Sequence, residues 1–215
     1  MLNLVRASIA AFLSIPALTY SAEPVRLSED TYKSTLGVVI IQMNWGRVWK
    51  CGQYENAQLQ ALEFTRTPVD AVESVSLDLK TPSKLFVDNK FLPYAYVVQP
   101  GEYVLTAFDV KVARSRAHVA HIAGAKDSLV KDGKAIGGTF TVGPGEIVYV
   151  GHFGLDCGAE PFLWRYHLDG REEFEKYVEG FRQEYPFVKQ VPVRFRLFST
   201  QLLGRPYQLQ DPVVR

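Results

Sequence analysis

The chain is poor in cysteine: it has two in 215 residues, Cys51 and Cys157, too far apart for the close pairs of CxxC redox motifs and zinc sites. It lacks an excess of either charge, with 24 Lys plus Arg against 23 Asp plus Glu. Nucleic acid and anionic membrane surfaces reward a clustered positive field, so neither is expected as its main partner. It has no internal repeat and no low-complexity tract. No GxSxG elbow, HExxH, P-loop or GxGxxG occurs, so no motif implies a cofactor, a resident metal or a catalytic residue.

Residues 1–22, MLNLVRASIAAFLSIPALTYSA, carry one positive residue, Arg6, then an apolar stretch from Ala7 to Leu18, then small residues at Ser21 and Ala22. That order reads as a secretory signal peptide, cut after Ser21 or Ala22, and its apolar part is short for a bilayer span. An uncleaved leader acting as an anchor is the alternative. No cysteine follows the apolar stretch, so a lipoprotein anchor has no attachment point, and no stable membrane anchor is expected after cleavage. Loss of Arg6 leaves residues 23–215 formally neutral, long enough for one domain with a full core. The expected location is periplasmic or secreted. There a Cys51–Cys157 disulfide persists, and closing so long a loop stabilises by about 4 kcal/mol in the chain-entropy model. Two buried free thiols are the competing reading.

Most of the remaining chain has strand periodicity. Leu36 to Met43 is a continuous apolar, β-branched run suited to a strand covered on both faces. Ala57 to Thr65 alternates and then slips register near Leu62. Ser74 to Lys80 places Val75, Leu77 and Leu79 on one face. Tyr94 to Gln99, the turn pair Pro100-Gly101 and the run Glu102 to Ala113 read as a hairpin, whose change of phase points to a β-bulge near Ala107. Gly138 to Val142, Gly143-Pro144-Gly145 and Glu146 to Leu155 repeat the device, with Val148, Val150 and His152 on one face and Ile147, Tyr149 and Gly151 on the other. Phe162 to Leu168 and Val191 to Thr200 supply two more strands. One amphipathic helix is expected at about 170–185. Asp169 and Glu172 form its capping box, Phe174, Tyr177, Val178, Phe181 and Tyr185 share a stripe, and Pro186 stops it. The pattern predicts a mainly β chain: an antiparallel β-sandwich of about eight strands with one C-terminal α-helix. Arg114 to Gly137 is the least patterned segment and reads as a long excursion with a short strand near 117–122, either a functional loop or an inert insertion.

The segments Val98 to Tyr103 (VQPGEY) and Phe140 to Gly151 (FTVGPGEIVYVG) resemble a pattern of β-sandwich domains in secreted and periplasmic proteins of Gram-negative bacteria, Pro-Gly-x-Tyr followed by Phe-x-Val-x-x-Gly-x-x-x-Tyr-x-Gly. The likeness continues through Cys157, Trp164-Arg165-Tyr166 and the helix, covering about residues 90–200. It implies an exported envelope fold and carries over no catalytic residue. Lipid-modified members of such families have a cysteine after the leader, which this chain lacks.

Residues that could carry chemistry are few. His118 and His121 form an HxxH pair that would ligate zinc or copper only with a third ligand such as His152 or an acidic residue, and on a strand positions three apart face opposite ways. Aromatic residues make up 13% of the chain. Trp45, Trp49, Trp164 and Tyr166 would bind a sugar ring if they met in an open cleft; packing in the core, with Trp45 and Trp49 over the disulfide, is the alternative. The leading expectation is an exported protein, not an enzyme, that binds an envelope protein or a cell-wall component. A periplasmic immunity or inhibitor protein using the 114–137 loop is a second reading, and a hydrolase with convergent residues a third.

Overall fold

The structure, a computed structural model, describes residues 23–69, 71, 74–82 and 88–209; the expected leader lies outside them. In chain order the elements are β1 (Gly37–Met43), β2 (Arg47–Cys51), β3 (Tyr54–Arg66), β4 (Ser76–Lys80), β5 (Leu92–Val98), β6 (Gly101–Ser115) and β7 (His118–Gly124). There follow α1 (Lys126–Leu129), β8 (Val130–Lys131), β9 (Lys134–Ala135), β10 (Thr139–Val142), β11 (Ile147–Asp156), β12 (Phe162–Tyr166), α2 (Gly170–Glu184), a 3-10 turn (Pro186–Val188) and β13 (Val193–Phe195). The chain is mainly β, as its periodicity predicts, with thirteen strands among the described residues instead of about eight.

Two sheets make the sandwich. One runs β12-β11-β1-β5 with β13 beside β11, the other β10-β6-β3-β2 with β4 on β3 and β7 on β6. The sandwich is mostly antiparallel as expected, with two exceptions: β1 and β13 both lie parallel to β11. Periodicity records which residues a strand buries and not which strand it meets, so direction is invisible to it.

The doubly apolar run of β1 explains the layering. Val39, Ile41 and Met43 join the core between the sheets, whereas Val38 and Ile40 join a second core under α2. Strand β11 divides likewise, with Val148 and Val150 between the sheets and Ile147 and Tyr149 toward the helix. The β1/β11 sheet is therefore the middle of three layers, and α2 covers its far face with Phe174, Val178 and Phe181. In the inter-sheet core Phe64 meets Phe140, Phe153 and Phe198 edge-on at 5.4, 5.6 and 5.7 Å between centroids. Edge-to-face contact suits the ring quadrupole.

Both register slips expected from the pattern are present. Between β3 and β6 the pairing shifts between Leu59 and Ala61 and again between Glu63 and Phe64, the second leaving Thr106 unpaired beside Ala107. The disulfide forms, joining the end of β2 to the loop after β11 across a separation of 106 residues. Trp45 lies in the same core as Cys51. Just beyond the expected cleavage point, Leu27 N–H donates to Ala95 O and Val97 N–H to Val25 O, both at 2.9 Å, so the start of the described chain closes the β5 edge.

Other expectations shift. Arg114–Gly137 is not an irregular excursion: its first part finishes β6, turns at Arg116-Ala117 and returns as β7 along β6, and the rest is α1 and the small β8–β9 hairpin. The small residues and histidines of β7 hide its alternation because five of its seven residues are exposed. The strand expected over Val191–Thr200 shortens to Val193–Phe195, after which the chain crosses between sheets, Ser199 pairing with Thr139 of β10. That expected over Phe162–Leu168 ends at Tyr166. The helix starts after Asp169, whose N–H is met by the Glu173 carboxylate at 2.9 Å instead of Glu172.

A groove between the helix and the middle sheet as candidate functional site

A bulge in β11 arranges the residues behind α2. Ile40 pairs with Tyr149 and Gln42 with His152, so β11 holds two residues, Val150 and Gly151, against one of β1. Gly151 takes φ +112°, and a Cβ there would lie 2.9 Å from Arg165 Cδ and 3.0 Å from Tyr166 O. The extra residue reverses the alternation, so His152 faces the helix beside Tyr149 and not the inter-sheet core with Val148 and Val150. This corrects the face expected from strict alternation.

His152 is 7% exposed, its Nε2 has no hydrogen-bond partner, and its ring lies 5.1 Å from Phe91 and 5.5 Å from Tyr149. Burial lowers its pKa from 6.5 to about 4, so the imidazole is neutral at ordinary pH. Burial also raises the phenols of Tyr149 and Tyr177 above their ordinary value; Tyr149 Oη accepts the Leu168 N–H, and Tyr177 hydrogen-bonds to Gln42. This cluster offers neutral hydrogen-bonding groups.

In front of Tyr177 the helix and the sheet part. Pro93, Tyr94 and Ala95 of β5, Leu168, and Tyr177, Gly180 and Phe181 of α2 line an open groove of about 610 Å³, with Glu173, Lys176 and Glu184 at its rim. Two small residues keep it open, Ala95 on the strand and Gly180 on the helix. Gly180 sits inside a fifteen-residue helix, and a Cβ there would meet nothing within 4 Å. A glycine in a helix interior costs about 1 kcal/mol relative to alanine, and no packing contact here explains it.

The residues singled out from sequence scatter. Trp45 is 2% exposed and donates its indole N–H to Tyr94 Oη at 2.9 Å, which removes it as a sugar platform. Trp49 is 55% exposed on β2, with the Arg47 guanidinium 5.5 Å from its ring centroid. Trp164 is half-buried on β12 of the other sheet, and Tyr166 donates its hydroxyl to Leu155 O at 3.0 Å. No shared aromatic cleft forms from these four. His118 bonds to Ser115 Oγ at 2.9 Å and His121 to Asp109 at 2.8 Å, on opposite faces of β7. His152 belongs to the middle sheet, and among the described residues no group of three His, Cys, Asp or Glu side chains is placed to hold a metal ion. Sequence reasoning missed the groove; its one local signal was a glycine inside the helical stripe. No described helix is long and apolar enough to cross a membrane.

Comparison with protein-family models, with curated proteins and with solved structures finds no match to this chain.

Proposed function

We propose that this is an exported envelope protein, periplasmic or secreted, that works by binding, and that the α2–β5 groove takes a small ligand with an apolar body and a polar end. The observation that carries the reading is Gly180, a costly residue in a helix interior that borders open space. The disulfide is what an oxidising compartment sustains, and the envelope β-sandwich likeness points the same way. A mostly apolar wall with a few charged groups at its rim is the usual make-up of a ligand pocket.

The neutral fluorophore N-phenylnaphthylamine tests the groove. The disulfide-bonded protein beginning at Glu23 should enhance its emission saturably, and Gly180→Leu, which fills the groove from the helix side, should abolish that while leaving the melting temperature close to wild type. Equal enhancement by the variant would refute the assignment. Export is checked by mass spectrometry of the natively expressed protein, which should show a chain starting near Glu23 with both sulfurs joined.

A further inference from the structure

The outward face of the second sheet has a layout that the groove does not use. Ala57, Leu59, Val110, Val112 and Ile122 point into the core, so their alternate neighbours point away from it. Register then sets two rows across β2, β3, β6 and β7. One is Trp49, Asn56, Ala113 and Val119; the next is Arg47, Gln58, Lys111 and His121, in which Gln58 is buried and donates its amide N–H to Trp45 O at 2.8 Å while its neighbours reach the surface. Trp49 and Val119 are 55% and 49% exposed.

The carboxylates on this face are engaged or distant. Asp109, one row further, accepts from His121, Glu63 is bonded by Thr65 and Ser76, and Asp78 pairs with Lys80. Arg47 and Lys111 have no carboxylate partner among the described residues, and Arg47 lies against the Trp49 ring. Their strands are separated by one intervening strand, which places the backbone positions that carry the two cations about 10 Å apart. Ala113 between Trp49 and Val119, and Ala61 and Ala123 on the other side of the row, are small and leave room for an extended chain to cross the strands there.

We propose that this face binds a linear acidic polysaccharide with a carboxylate on alternate sugars. One sugar stacks on Trp49, and successive carboxylates meet Arg47 and Lys111, whose separation suits a disaccharide repeat. An aromatic plate beside two unpaired cations fits a sugar ring bearing an anion better than it fits a neutral glycan. The site is separate from the α2 groove, so it stands or falls independently.

The test is calorimetric titration of the disulfide-bonded protein with a hyaluronan octasaccharide at low salt. Binding should weaken as salt rises, Trp49→Ala and Lys111→Glu should each lower affinity about tenfold, and Lys111→Arg should keep it. Gly180→Leu should leave it unchanged. All three positions are outside the inter-sheet core, and unchanged near-ultraviolet circular dichroism would show that the variants fold. An N-acetylglucosamine hexamer and a thymidine octanucleotide serve as comparators. The proposal is overturned if hyaluronan does not bind, if Lys111→Glu binds it equally, if the neutral hexamer binds as tightly, or if the oligonucleotide binds in its place.

Discussion

Acidification should destabilise this protein through one imidazole before its carboxylates titrate. His152 is buried among Phe91, Tyr149 and Tyr177, and its pKa falls from 6.5 to about 4 on folding. The unfolded chain therefore takes up the proton first, and native stability is complete above pH 6.5 and is lost as pH falls toward 4. Linkage puts the loss at about 2 kcal/mol by pH 5 and about 3 kcal/mol by pH 4. The acid-sensitive carboxylate of Glu146, held low by its hydrogen bond from Arg196 with Arg194 alongside, acts in a lower window, below its ordinary value of 4.5. The interval between pH 7 and 5 thus separates the His152 contribution from that of Glu146. Urea unfolding followed by circular dichroism should show the midpoint falling by about 1 M across that interval, given a slope of about 2 kcal/mol per molar. His152→Phe, which keeps an aromatic ring and removes both the proton site and the unpartnered Nε2, should flatten the dependence. A variant that remains as acid-sensitive as the wild type would refute this assignment of the titrating group.

Gly180→Ala should stabilise by about 0.5–1 kcal/mol and raise the melting temperature by a few degrees, because the added methyl enters open space; a lower melting temperature would show that the glycine answers a packing need. Phe64→Ala should cost about 3–5 kcal/mol, since it empties the centre of a four-ring cluster; a loss under about 1 kcal/mol in urea titration would contradict that packing. Arg165 is 2% exposed, and its guanidinium meets the Arg205 carbonyl while Nε and Nη1 have no partner. Arg165→Met should therefore be neutral or stabilising by about 1 kcal/mol or more, and calorimetric unfolding that shows a clear loss would mean that the cation is compensated.

The sequence alone determined the strand-rich architecture, because alternation with period two states directly which residues must leave water. The apolar run of Leu36–Met43, interrupted only by Gln42, carried more: a strand buried on both sides has to be an inner layer, and β1 is one. The phase changes near Leu62 and Ala107 marked real bulges, since an inserted residue flips every later side chain. Tertiary structure alone decided what meets what. Parallel pairing of β1 and β13 with β11, the merging of Arg114–Gly137 into the second sheet, and the separation of Trp45, Trp49 and Trp164 all depend on partners distant in the chain, and burial patterns carry no partner information. The bulge at Gly151 turned His152 from one core to the other, a consequence of backbone geometry that composition cannot register. The groove exists because Ala95 and Gly180, 85 positions apart, face the same gap between helix and sheet.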